Sequence, residues 1–117
     1  MASQVDGDKS FLAGAAIEAF TFVKLTAANT VQNAGAGEGS SMIGVAQNKV
    51  ASGEYVAVRL RGGGNTSKVV AADAVVVNTA IYCAASGRVD DASSGVTVGT
   101  SLDAAGAAAD VIECLII

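Results

Sequence analysis

The sequence contains no histidine, no proline and no tryptophan, and the first of these absences removes whole classes of function. Without histidine the commonest general base is missing, so neither cysteine can form the Cys–His pair that thiol hydrolases use. Zinc sites that include histidine are excluded for the same reason. The two cysteines are too few for a disulfide framework and lack metal-binding spacing. We therefore expect no catalytic residues, no metal site and no cofactor.

Charge is also scarce, and its sign excludes two kinds of partner. Charged residues make up 15% of the chain, and the net charge is −4. Nucleic-acid binding relies on basic patches that displace counterions from phosphate, and anionic membranes attract the same basic patches. We therefore expect neither a nucleic-acid partner nor a membrane partner. Few charges and a mean hydropathy of +0.49 instead indicate a surface that another protein partly covers.

The 117 residues correspond to one domain of common size. Residues 1–10, MASQVDGDKS, are polar and aperiodic, which predicts a flexible N-terminal arm before a single β domain over residues 11–117. A glycine-rich stretch near residues 61–67 separates two similar halves, about 11–61 and 68–117. Three segments align between them: FVKL (22–25) with IYCA (81–84), IGV (43–45) with VGT (98–100), and YVAV (55–58) with VIEC (111–114). Two copies are too few for a solenoid, so we expect a clasped pair of halves.

Short β-branched runs separated by turn residues predict strands throughout. The clearest is YVAVRLR at 55–61, where apolar and polar side chains alternate as in a half-buried antiparallel strand. Helical periodicity is poor, and only 46–51 and 103–109 could form a helical turn, the second with Asp103 as N-cap. The fold class is therefore all-β: a small barrel or sandwich of short, mainly antiparallel strands. The other predicted strands are 20–26, 30–33, 42–46, 68–72, 75–84, 87–90, 96–101 and 110–117.

Aromatic residues are only 4% of the chain, so each phenylalanine is a candidate contact residue. If Val23 faces the core, alternation places Phe20 and Phe22 on the opposite face, where aromatics favour an interface. The alternative is a strand buried on both faces. Phe11, just after the polar arm, is either an anchor or the first core residue. Cys83 and Cys114 lie in apolar runs and are predicted to be small buried hydrophobes.

Nearly the whole chain, from about residue 9 to 117, resembles the small capsid decoration, or head cement, proteins of tailed bacteriophages. The segments that carry the resemblance are AIEA (16–19), FVKL (22–25), IGVA (43–46) and SGEYVAV (52–58), with an echo in the second half. The sequence departs from the family pattern at Phe20, where a turn glycine is common, and at Ala109, where glycine is favoured before the acidic residue.

The resemblance implies a β-rich, non-enzymatic protein that binds the outer face of the expanded phage head. There it would bridge subunits of the major capsid protein, its first partner. A second implied partner is the protein itself, as a homo-oligomer and possibly a trimer. Its place would be the virion, after synthesis in the host cytoplasm. Two alternatives stay open: another virion component, such as a tail or fibre part, and a small non-enzymatic ligand-binding β module.

Overall fold

The computed structural model describes residues 8–62 and 66–117, and nearly all of its regular structure is β-strand. Its two sheets are mainly antiparallel, which confirms the all-β prediction and resolves it in favour of barrel-like sheets. The principal-axis extents are 34 × 29 × 22 Å. Among the described residues, no helix is long and apolar enough to cross a membrane.

The first half forms a closed barrel of five strands in the order β1-β3-β2-β4-β5. Neighbouring strands are antiparallel except β1 and β3, which run parallel through Leu12–Thr30 and Ala13–Val31. The barrel closes because β5 pairs with both β4 and β1. These strands are β1 (Asp8–Ala13), β2 (Phe22–Ala27), β3 (Thr30–Asn33), β4 (Met42–Ala46) and β5 (Tyr55–Leu60).

The second half repeats this arrangement in a more open form, as a sheet in the order β6-β10-β9-β7-β8. A parallel bridge between Ala71 and Val89 connects the chain just after β6 to β8. With that bridge, the cyclic order of the five strands is the same as in the first half. These strands are β6 (Thr66–Val70), β7 (Ala80–Cys83), β8 (Val89–Asp90), β9 (Gly99–Ser101) and β10 (Val111–Ile116), with a 3-10 helix at Ala85–Gly87 between β7 and β8.

Matching hydrogen bonds outside the strands occur in both halves. Ile17 and Val50 exchange two backbone bonds of 3.0 Å, and Val75 and Ala105 exchange two of 3.0 and 2.9 Å at the corresponding place. Each pair ties the loop after the half's first strand to the loop after its fourth. The similarity of the halves therefore extends to the loops that shape the surface.

Strand pairing also fixes how the two halves align. Val23 lies opposite Gly44, and Ile81 lies opposite Gly99, so Val23 corresponds to Ile81. The alignment of Phe22 with Ile81 is therefore wrong by one residue. Sequence alone could not set this register, because small apolar residues fill both strands and a shift by one still aligns apolar with apolar. That the halves arose by duplication stays a prediction.

Two glycines mark the closest approach of neighbouring strands. A Cβ at Gly44 would collide with the carbonyl of Arg59, and a Cβ at Gly99 would collide with the carbonyl of Leu115. Both sites lie where the fourth strand of a half crosses its fifth. Only glycine leaves room for the partner backbone at these places.

The core consists of two clusters that meet at β2. Val23 packs inside the first barrel, whereas its neighbour Phe22 belongs to a cluster made mainly of second-half residues. Both side chains are fully buried. The first cluster is Phe11, Ala13, Ile17, Val23, Val31, Ala46, Val50, Val56 and Val58. The second is Phe22, Ala34, Met42, Val45, Val69, Ala71, Val75, Ile81, Cys83, Val89, Val98, Ala105, Ile112, Cys114 and Ile116.

Polar contacts reinforce this junction between the halves. The Val70 amide donates to the Phe20 carbonyl at 2.8 Å. Arg61 donates from Nε to the main-chain oxygen of Ile117 at 2.8 Å and from Nη1 to the Met42 carbonyl at 2.9 Å. The Arg61 guanidinium therefore holds the end of β10 against β4 of the other half.

Three local predictions need correction. Residues 8–10 begin β1 and pair with β5 instead of belonging to an arm, and the remainder of the predicted arm lies outside the described residues. Neither 46–51 nor 103–109 is helical. Asp103 accepts a hydrogen bond from the amide of Ala104, its own neighbour, so it caps a bend rather than a helix. The predicted strand at 75–84 is reduced to β7, because its first part is a loop whose Val75 makes an isolated bridge.

Candidate functional site

The two thiols lie in the interior of the second half. Cys83 and Cys114 are unpaired and fully buried, which confirms the prediction that they act as small apolar residues. Burial raises the pKa of Cys83 to about 11 and that of Cys114 to about 12. At neutral pH both are therefore protonated thiols, and the thiolate that would act as a nucleophile is scarce.

The rest of the described interior is apolar, and its buried polar side-chain atoms are hydrogen-bonded. Within residues 8–62 and 66–117 no pocket is found, and no group of three or more Cys, Asp or Glu residues could hold a metal ion. Every buried side-chain nitrogen or oxygen in the same residues has a hydrogen-bond partner.

The structure separates the three candidate interface phenylalanines. Phe22 is fully buried and Phe11 is 6% exposed, so neither presents a surface to a partner in this fold. The prediction that Phe22 lies at an interface is wrong, because the alternative of a strand buried on both faces holds for the start of β2. Phe11 is a core residue of the first barrel. Phe20 alone stays partly accessible, at a turn where its φ is 63°.

The exposed apolar surface is concentrated in the second half. Among the described residues, six of the eight large apolar residues that are exposed belong to it, and three of them, Val76, Val77 and Leu102, lie in segments that hydrogen bonds join. The remaining three are Val96, Val111 and Ile117, and the two in the first half are Leu25 and Tyr55.

Charge is divided just as unevenly between the halves. Residues 8–62 contain five basic and four acidic side chains, whereas residues 66–117 contain two basic and six acidic ones. The net charge of the whole chain therefore originates largely in the half that also exposes more apolar surface. The six carboxylates are Asp73, Asp90, Asp91, Asp103, Asp110 and Glu113.

The apolar residues form what we call the second-half corner: Val76, Val77 and Leu102, flanked by Asp73, Asp91 and Asp103. The hydroxyl of Ser101, which is buried, donates to the Val76 carbonyl at 2.7 Å. The Asn78 amide donates to the Ser101 carbonyl at 2.9 Å. These bonds hold the loop that carries both valines against the segment that carries Leu102.

A carboxylate is part of this corner. The Val76 amide donates to Oδ2 of Asp91 at 3.0 Å, so one acidic side chain lies directly beside the exposed valine. Asp73 and Asp103 are exposed in the two segments that the Val75–Ala105 bonds join. The corner is thus an apolar surface with an acidic border and a fixed backbone.

The same corner of the first half has different chemistry. The bond from the Phe20 amide to the Ala46 carbonyl, 2.7 Å, corresponds to the bond from Asn78 to Ser101. By that correspondence Glu18 takes the place of Val76, and Gln47 takes the place of Leu102. Gln47 contacts the second half, since its Nε2 donates to the Ser67 hydroxyl at 3.2 Å.

An ion pair completes the first-half corner. Glu18 and Lys49 approach to 3.9 Å, with side chains 68% and 74% exposed. At the place of Lys49 the second half has Ala104. The first-half corner therefore has a solvent-exposed ion pair and a glutamine that bonds to the second half, whereas the second-half corner has exposed apolar side chains.

Comparison with known proteins places this fold. The chain matches the phage cement protein family over residues 8–116. It is similar in structure to the head fiber gp8.5 N base of bacteriophage phi29, with a TM-score of 0.70, 15% sequence identity, and coverage of 94% of this chain and 92% of that one. A comparison with curated proteins finds no match.

The family match covers all ten strands, and the resemblance noted in the sequence is confirmed. The described residues fit a structural component of the phage virion. Their interior is apolar with its buried polar side-chain atoms hydrogen-bonded, and their outer surface differs between the halves in charge and in apolar exposure. The chain belongs to the phage cement protein family.

Proposed function

We propose that the protein binds the outer surface of the phage head and stabilises the expanded shell by bridging subunits of the major capsid protein. Its family membership over residues 8–116 is the observation that carries the proposal. The absence of a pocket from the described chain supports a role through broad surface contact. In this role the protein has no reactive centre and acts by adding buried area at joints between subunits.

The size of the molecule suits such a bridge. A specific interface buries about 800 Å² on each partner. Two contacts of that size would cover roughly a third of the accessible surface of 5386 Å². Many copies on one shell act together, since each one that stays bound keeps its subunits in place for the others.

Sedimentation with undecorated expanded heads tests the proposal. We expect the protein to pellet with the heads and to saturate at a fixed ratio to shell subunits. Decorated heads should then resist heat and low salt better than bare heads. Protein that stays in the supernatant at every concentration would contradict head binding, and binding without any gain in resistance would contradict the stabilising role.

The self-association of the protein is a separate part of the proposal. The resemblance implies a homo-oligomer, possibly a trimer, and analytical ultracentrifugation of the purified protein measures this directly. We expect a single oligomeric species, in solution or assembled on the head. Monomers both free and at isolated positions on decorated heads would contradict it.

The likeness to a head fibre base favours a second candidate role, as the base that attaches a longer fibre to the head. In that role a further fibre polypeptide would bind the side of the protein away from the shell. Density beyond the decoration layer in a particle map would support this candidate, and a smooth outer layer would contradict it.

A further inference from the structure

We propose that the second-half corner is the surface that contacts the shell, and that its occupant is a segment of the major capsid protein with an apolar side chain flanked by lysine or arginine. This inference rests on the proposed function, because it names the surface and the chemistry by which head binding would occur. The observation that carries it is the difference between two corners of equivalent backbone geometry.

The apolar exposure at this corner is fixed by the backbone. Val76 is 65% exposed, Val77 is 51% exposed and Leu102 is 48% exposed. Beneath them, Val75 and Ala105 are buried and exchange two hydrogen bonds. Because these loops are already ordered, binding would cost little conformational entropy, which favours a docking surface.

The first-half corner shows that this fold does not require apolar residues there. With corresponding main-chain hydrogen bonds, Glu18 occupies the place of Val76, and it faces Lys49 across 3.9 Å. The backbone of this corner can therefore form with a solvated ion pair at its surface. The exposed valines and leucine of the second half are thus not demanded by folding, and contiguous exposed apolar groups are typical of interaction sites.

Charge selects the occupant. Carboxylates border the apolar surface, with Asp91 hydrogen-bonded to the Val76 amide and Asp73 and Asp103 exposed nearby. The second half contains six acidic residues against two basic ones. A basic segment gains attraction at this border, whereas an acidic one is repelled. A second copy of this acidic half would meet like charges, so a basic shell segment fits better than self-association through this corner.

The test replaces the second-half corner with first-half chemistry. The double variant V76E/L102Q introduces the residues that the first half has at the equivalent places. The matched control, L25Q/Y55Q, makes two exposed apolar residues of the first half polar; these are 49% and 67% exposed. We expect the corner variant to bind undecorated heads at least about tenfold more weakly than the wild type, and the control to bind like the wild type.

A second pair of variants tests the charge. We expect D73N/D103N to bind heads more weakly at low salt and to depend less on added sodium chloride, because salt screens exposed charges. The control is E54Q, which removes an exposed carboxylate from the first half. Thermal unfolding tests whether every variant is folded. If V76E/L102Q does not fold, the milder change V77S replaces it.

The outcomes separate this inference from the proposed function. Wild-type protein that fails to bind heads would overturn the proposed function. Wild-type binding with equal affinity for V76E/L102Q would overturn only the corner assignment, as would a loss confined to L25Q/Y55Q. An oligomer that dissociates in V76E/L102Q would show that a second copy covers the corner, and this too would overturn the shell assignment.

Discussion

The two halves of this molecule have the same strand order and matching loop bonds, yet they differ in closure, charge and surface. The first half is a closed barrel, and in the described part of the second half the edges of the sheet meet at the Ala71–Val89 bridge. The first is nearly balanced in charge, whereas the second has an excess of four acidic residues. The backbone pattern is therefore compatible with two surfaces, and side chains that do not determine the fold are free to determine the contact.

The opening of the second half has an identifiable cause. In the first half the Leu12 amide donates to the Asn29 carbonyl within the barrel, at 2.9 Å. The equivalent amide, that of Val70, donates across the junction to Phe20 of the first half. Gly87 then lies so close to the Phe22 carbonyl that a Cβ would come within 2.6 Å of it. The second sheet is thus completed by the first barrel.

The largest expected effect concerns the thiols, which lie only in the second half and so report its opening. Because Cys83 and Cys114 are buried, we expect the native protein to react with a thiol reagent at least about a thousandfold more slowly than the unfolded chain. Stopped-flow labelling with and without denaturant measures this ratio. Native labelling at the unfolded rate would show that the second half opens freely.

Phe22→Ala should break the connection between the halves. Phe22 belongs to β2 of the first barrel but packs in the second cluster, and its removal leaves a cavity there. We expect the free energy of unfolding to fall by about 3–5 kcal/mol and thiol labelling to accelerate. Denaturant titration measures the loss.

Ile17→Ala is the matched control for Phe22→Ala, because Ile17 is buried in the first cluster. Ile17→Ala should lower the free energy of unfolding by about 2–5 kcal/mol. If both variants are equally stable and their thiols are labelled at equal rates, the two halves unfold together as one cooperative unit. A loss of less than about 1 kcal/mol for Phe22→Ala would contradict its place at the junction.

A reciprocal pair of variants at equivalent positions tests the backbone correspondence. Gly53 has φ 88° and Ala109 has φ 73°. The Gly53 amide donates to Ala13 and the Ala109 amide to Ala71, and each acceptor is a residue that pairs in parallel within its half. Because left-handed backbone disfavours a Cβ, we expect Gly53→Ala to destabilise by about 1 kcal/mol and Ala109→Gly to stabilise by a similar or smaller amount. Thermal melts measure both changes, and effects of the same sign would contradict the correspondence.

The smallest effect concerns an ion pair that the second half lacks. Lys24 approaches Glu38 to 2.6 Å, and by strand pairing Tyr82 takes the place of Lys24 in the second half. The hydrogen bond from Lys24, with one from the Gly35 amide, holds the pKa of Glu38 below the ordinary value of a glutamate side chain. The folded state therefore favours the carboxylate over the acid more strongly than the unfolded chain does.

The pH dependence follows from the direction of this shift. A lowered folded pKa gives stability that is fully present above the unfolded pKa and is lost as pH falls through the folded one. We expect Glu38→Gln to lower the melting temperature slightly at pH 7. At a pH below the folded pKa of Glu38, the variant and the wild type should melt at the same temperature. A difference that persists unchanged in acid would contradict this account.

The departures from the family pattern at Phe20 and Ala109 acquire a physical meaning from these dihedral angles. Both residues have positive φ, where glycine is favoured. The sequence comparison indicated that local turn geometry was unusual at both places, and the structure shows that the chain keeps the conformation despite the side chains. At Phe20 the carbonyl oxygen is also used by Val70, which helps to hold that conformation.

The sequence by itself determined the fold class, the family and most strand positions. Residues 30–33 and 42–46 form strands with the expected bounds, because β-branched runs between turn residues have few alternatives. The buried state of the two cysteines followed as well, since each lies in an apolar run. These properties depend on local composition and alternation, which a single chain displays directly.

Only the tertiary structure decided which faces are covered. Alternation placed Phe22 opposite Val23, but packing of the second half against β2 buried both. The strand at residues 8–10 depends on pairing with β5, some fifty residues away, and its polar sequence gives no local signal. The second-half corner likewise becomes a surface only when distant loops meet, because contact between Val76 and the Leu102 segment is made by long-range hydrogen bonds.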